Sequence, residues 1–171
     1  MGIKMLSPSP QLMDTEDEIG RLVDICMNLP TDPASIFISL RGIGQDPNSL
    51  LVTTIRLQPF NQTFVIIPSG PQEGRKTLLT PGHRHVETIL KTILENPRIP
   101  NLFFDVRAAC TVLRQRHQIP LAGVIDIQLL ERGTRHEHDR QAPVKSLPKC
   151  VAFGSGVDRE ELESWVAAKR R

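Results

Sequence analysis

A chain of 171 residues, 39% of them apolar and 23% charged, suits one globular domain with a core of its own. The formal net charge of +2 is no polybasic signature, though it leaves nucleic-acid contact open, and the apolar runs fall far short of the ~20 residues of a membrane span. Cys26, Cys110 and Cys150 have no metal-ligand spacing and read as reduced thiols of an intracellular protein, cytoplasmic or nuclear, with no membrane partner.

Residues 1–13, MGIKMLSPSPQLM, form a Ser- and Pro-containing lead, expected to be mobile. They lack the apolar stretch of a signal peptide, and Gly2 is not followed by the Ser or Thr of a myristoylation motif. Thr15-Glu16-Asp17-Glu18 is a capping box. It precedes Ile19, Leu22, Val23, Cys26 and Met27, whose spacing predicts an amphipathic helix ending near Pro30. Three strands follow, over Ile36–Leu40, Leu51–Leu57 and Thr63–Ile67. The turns between them carry Gly42, Gly44, Pro47 and Asn48, then Pro59 and Asn61, so an antiparallel meander is expected. Pro68–Gly82 reads as a loop. Val86, Ile89, Leu90, Ile93 and Leu94 then repeat at helical spacing, bounded by Pro97.

The stretch from Pro97 to Glu131 organises the rest. Leu102-Phe103-Phe104 is a buried strand cut off at Asp105, and Val106, Cys110, Val112 and Leu113 give the next helix its apolar side against Arg107, Arg114, Gln115 and Arg116. Asp105 is placed to cap that helix. Val124-Ile125 is a second strand, ended by Asp126 and passing into Ile127, Leu129 and Leu130. Strand, helix and strand make a crossover unit, and ligands of open α/β sheets gather at the carboxyl ends of such strands. Asp105 and Asp126 both stand there. Arg132–Pro148 is polar and basic and reads as an exposed loop. Asp158 opens a last helix with Leu162, Trp165 and Val166 on one face and Lys169-Arg170-Arg171 at its end, where cations suit the helix dipole. Three antiparallel strands, then helix, strand, helix and strand, is the order of an RNase H-like α/β mixed sheet flanked by helices. The first strand should lie between the second and the Phe103 strand.

The phrase NLFFDVRAACTVLRQRHQIPLAGVIDIQLLE resembles the second conserved block of the RNase D-like 3'–5' exonuclease domain, in the form found in fungal single-domain proteins and in Egalitarian-type proteins. ASIFISLRGI, Ala34–Ile43, resembles the first strand of that family, and SLPKCV, Ser146–Val151, the segment after its core. The resemblance implies an exonuclease-like domain over 14–151, with 152–171 as a C-terminal helix and basic tail. It also implies a two-metal mechanism in which four carboxylates hold two divalent cations, magnesium or manganese. The family's first two acids stand two residues apart on one strand face; the matching positions here are Ser39 and Arg41. The third, four residues before the helix leucine, falls on Ala109, and the fourth has no recognisable copy before Arg171. Asp105 and Asp126 match no catalytic position of the family.

Three readings follow from this departure. The first is a catalytically silent domain with no cofactor. It binds nucleic acid, single-stranded RNA in preference to DNA, or a protein partner, through a relict cleft lined by Ser39, Asp105, Ala109 and Asp126. Arg41 and Arg107 would meet the phosphates, since a guanidinium fork pairs with a carboxylate or a phosphate alike; Arg41 would point into the cleft, within reach of Asp105. The second is an active magnesium- or manganese-dependent exonuclease. The third is a truncated member with no retained activity. Other clusters carry less. His136-Glu137-His138-Asp139 and His83-Arg84-His85 look like solvated loops rather than metal sites, and Gly42-Ile43-Gly44 lacks the context of a phosphate loop.

Overall fold

The computed structural model describes residues 9–41, 52–67, 78–154 and 156–168. They fall into two compact units, Met1–Ile125 and Asp126–Arg171. The first unit contains β1 (Gln11–Met13), α1 (Glu16–Met27), β2 (Ile36–Arg41), β3 (Val52–Leu57), β4 (Gln62–Ile66), α2 (Leu90–Glu95), β5 (Asn101–Phe103) and α3 (Val106–His117). β6 (Val124–Asp126) begins in the first unit, and its last residue, Asp126, is counted with the second. The second unit holds α4 (Ile127–Thr134), a 3-10 turn over Glu137–Gln141, α5 (Leu147–Gly154) and α6 (Arg159–Ala168). No described helix is long and apolar enough to cross a membrane.

The six strands form one mixed sheet in the order β1-β4-β3-β2-β5-β6. β2, β3 and β4 are the expected antiparallel meander, and β2 lies between β3 and β5, to which it runs parallel with Ile36 opposite Asn101 and Phe37 opposite Leu102. The turn expected after Arg41, Leu51, residues 68–77 of the expected loop, the start of the lead and the Lys169–Arg171 tail lie outside the described residues.

Strand alternation puts Ile36, Ile38, Ile55, Leu57, Phe64 and Ile66 on one side of the sheet, where they are buried. Ile19, Leu22, Val23 and Cys26 of α1, Leu90, Ile93 and Leu94 of α2, and Val112 and Leu113 of α3 complete that core. α1 begins as read: Glu18 N–H donates to Thr15 Oγ1 at 3.2 Å and Thr15 N–H donates back to Glu18 Oε2 at 3.2 Å. Burial of Cys26 pushes its thiol up to about 12.

Four features differ from the sequence reading. The lead ends in structure, because Gln11–Met13 adds to the sheet beside β4 in parallel, burying Met13. The helix expected from Val86 starts only at Leu90, and Val86 is 68% exposed. Its first turn is taken by a loop that α1 holds: Asp24 accepts the main-chain N–H groups of His83, Arg84 and His85 at 3.0–3.1 Å, and His85 Nδ1 lies 3.0 Å away. α1 and this loop touch so closely that a Cβ at Gly20 would stand 2.7 Å from the His83 ring. The polar stretch Arg132–Pro148 is no plain loop, since α4 runs to Thr134 and the 3-10 turn and the start of α5 occupy much of the rest. Finally, Asp105 does not cap α3. It adopts φ 60°, ψ 74°, and its side chain makes no capping hydrogen bond. A cap needs extended geometry to aim its oxygen at the first turn, and the left-handed region aims it elsewhere.

Candidate nucleic-acid interface

β2 sorts its side chains by direction. Ile36 and Ile38 are buried and Leu40 half-buried on the core side, while Ser39 and Arg41 are exposed on the other. On the core side the sheet and its helices enclose an apolar cavity of ≈ 40 Å³. It lies across the sheet from Ser39 and Arg41 and is no place for a phosphate. Asn101, fully buried beside it, donates through Nδ2 to the carbonyls of Ile99, Ile93 and Ala122 at 3.1–3.4 Å, and its Oδ1 has no partner among the described residues.

Arg41 stands at the carboxyl end of β2, and no described carboxylate pairs with its guanidinium. The parallel register brings the carboxyl ends of β2 and β5 to the same edge. There the chain turns sharply at Asp105, and a planar fork forms: Arg107 Nε donates to Asp105 Oδ1 at 2.6 Å and Nη2 to Oδ2 at 2.8 Å. The Arg107 hydrogen bonds, outweighing burial and helped by its charge, hold the Asp105 carboxyl below its ordinary range. Asp105 therefore spends its fork on Arg107 rather than on Arg41. Arg107 is 73% exposed.

Ala109 is 5% exposed and belongs to the core cluster, on the buried side of α3. Asp126 belongs to the second unit, where its Oδ1 accepts the Gln128 N–H at 2.9 Å and caps α4. The structure thus brings Ser39 and Arg41 onto one face and joins Asp105 to Arg107.

A pair of catalytic cations needs hard anionic oxygens. A hydroxyl at Ser39, a guanidinium at Arg41 and a buried methyl at Ala109 do not supply them, and Arg41 brings the charge of a cation itself. Among the described residues no three His, Cys, Asp or Glu side chains converge as a metal would require. The donor set does not fit. His136 and His138 stack with ring centroids 5.9 Å apart and gather no further ligand.

The second unit holds a polar network that the sequence pattern did not reveal. Glu131 Oε2 accepts from Arg135 Nη2 at 2.6 Å, and Oε1 accepts from Lys145 Nζ at 2.8 Å. These two donors hold the Glu131 carboxyl at about 2. Gln128, 6% exposed, donates to the Lys145 carbonyl at 2.9 Å. Apolar periodicity carries no signal for such a network; the one local cue is the spacing of Glu131 and Arg135, four apart across the end of α4.

A mixed sheet of this order, with three antiparallel strands leading into a parallel neighbour, defines the RNase H-like class. Comparison with solved structures narrows the class to the fold of RNase D-type 3'–5' exonuclease domains. The chain matches the RNase D of Trypanosoma brucei, in a complex with GMP, with a TM-score of 0.65 and 15% identity over 94% of this chain and 46% of that one. The same enzyme in a complex with RNA U12 matches at a TM-score of 0.51 and 17% identity, over 72% of this chain and 39% of that one. The EXD2 exonuclease domain matches at a TM-score of 0.54 and 13% identity, over 94% of this chain and 82% of that domain. The chain spans less than half the length of the RNase D chains it resembles. No protein-family model matches the sequence, and no curated protein matches it.

Proposed function

We propose that this chain is an exonuclease-fold domain that binds nucleic acid, single-stranded RNA in preference to DNA, without metal-dependent cleavage. The observation that carries this reading is the exposed face of β2, where Ser39 and Arg41 stand at the positions that the family resemblance assigns to the first two acids. A fixed guanidinium there repels divalent cations and attracts phosphate, so one substitution both removes a metal ligand and supplies an anion contact. Arg107, kept rigid by Asp105 yet open to water, offers a second cation at the same edge of the sheet. That Trypanosoma brucei RNase D has been captured with GMP and with RNA U12 supports a nucleotide-binding face on this fold.

The test joins two assays on the purified chain. A labelled single-stranded RNA should bind with a salt-dependent affinity, and Arg41→Glu should lower the slope of log K against log salt by about 0.7 or more, the share of one phosphate contact on a single strand. An unchanged slope makes Arg41 a mere surface charge. In the second assay, RNA should survive incubation with magnesium or manganese at the level of a protein-free control. Trimming from the 3' end that a chelator abolishes would overturn the reading in favour of an active exonuclease.

A further inference from the structure

The second unit carries two arginines that neither the fold's core nor the β2 face uses. Arg132, at the end of α4, donates through Nε to the main-chain carbonyl of Arg140 at 2.7 Å. Arg140, on the 3-10 turn, donates through Nε to the carbonyl of Arg135 at 3.1 Å. Each guanidinium is thereby pinned by one N–H to a neutral acceptor, and its two Nη groups are left to other partners. No described carboxylate pairs with either.

The neighbouring acids explain why. Glu131 is consumed by Arg135 and Lys145, and Arg135 is itself 8% exposed and turned inward, where Nη1 also reaches the Pro143 carbonyl at 3.1 Å. Asp139 lies 3.4 Å from the His138 ring, and Glu137 is exposed on the same turn. Among the described residues, two cations are thus ordered without a carboxylate partner. An arginine held in place by such a bond loses less side-chain freedom when it meets an anion. Beside it His136 and His138 present parallel, exposed rings, 2° apart in plane, on which a base can stack.

We propose that Arg132 and Arg140 form a phosphate-backbone contact for single-stranded nucleic acid, separate from Arg41, with the His136–His138 pair as the stacking surface. This rests on the nucleic-acid reading above and extends it to the second unit. The flat rings favour a nucleic acid over an acidic peptide, which would need the cations alone.

The experiment uses the full chain and a labelled single-stranded RNA in a salt titration. Arg132→Ala with Arg140→Ala should lower the log–log slope by about 1.4, two single-strand phosphate contacts. Arg132→Lys with Arg140→Lys, which keeps both charges, should keep most of the slope. Because the alanine pair also frees two main-chain carbonyls, a second variant leaves the arginines alone: Glu137→Gln with Asp139→Asn should tighten binding several-fold at low salt.

An unchanged slope in the folded alanine pair, or unchanged binding in the Gln/Asn pair, overturns the proposal. If Arg41→Glu weakens binding while the alanine pair does not, the β2 face stands and this site falls. If the alanine pair abolishes binding while Arg41→Glu has no effect, this site stands and the β2 face falls. Loss of binding to an acidic phosphopeptide with RNA binding intact would assign the arginines to a protein partner and also overturn the proposal.

Discussion

Asp24 gathers three main-chain N–H groups and a histidine ring on one carboxylate. Burial works against its ionisation, but the N–H groups of Arg84, His85 and His83 and the His85 ring prevail and bring the carboxyl down from 3.8 to about 2. A folded-state value below the unfolded one means that the charged form stabilises the fold above the ordinary carboxylate range. That contribution is lost as pH falls through about 2. The side chain is 14% exposed, so bulk water competes weakly for these donors. We expect Asp24→Asn to unfold at lower urea near neutral pH, because its amide would turn a donor toward three main-chain donors. The gap from wild type should close between pH 4 and 2. Urea midpoints of both proteins across that window check it; two parallel curves would show that Asp24 is not the group that titrates.

At the scale of elements, the comparison of Thr15 with Asp105 separates what the chain spells locally from what it does not. Thr15 and Glu18 satisfy each other within four residues, so the start of α1 is legible without its surroundings. Removing that cap with Thr15→Ala should cost about 1 kcal/mol, read from denaturant midpoints. Asp105 offers the same outward cue before an apolar-periodic segment, yet its backbone is left-handed and its oxygens go to Arg107. That turn depends on how β5 joins α3, which no local pattern encodes. We expect Asp105→Gly to be more stable than Asp105→Ala by about 1 kcal/mol, because only glycine takes the left-handed region freely. A more stable alanine variant would mean that the turn relaxes. Val86 failed for another reason: its spacing suits a helix, but the Asp24 grip captures the preceding residues first. Strand alternation in β2 needs no such context, which is why the shared face of Ser39 and Arg41 could be read directly. The Glu131–Arg135–Lys145 network could not, since its members span a turn and are joined by charge.

For the whole molecule, metal binding is a question of stability as well as rate. A ligand that binds only the native chain raises unfolding free energy by RT ln(1 + [L]/Kd), about 2.7 kcal/mol at a hundred times Kd. With a hydroxyl at Ser39 and a guanidinium at Arg41, manganese gains no anionic oxygen from β2, and the cation at Arg41 opposes its approach. We therefore expect millimolar manganese to leave the Tm of the wild-type chain unmoved. Ser39→Asp with Arg41→Glu puts two carboxylates on the exposed strand face and removes the opposing charge, so manganese should raise the Tm of that variant. Ala109→Asp is left out of the pair deliberately, because a carboxylate at a position 5% exposed would pay for burial before meeting any cation. The measurement reads binding without asking for turnover, which separates metal affinity from catalysis. An equal Tm rise in wild type and variant would mean that metal binds elsewhere and that Ser39 and Arg41 do not decide the matter.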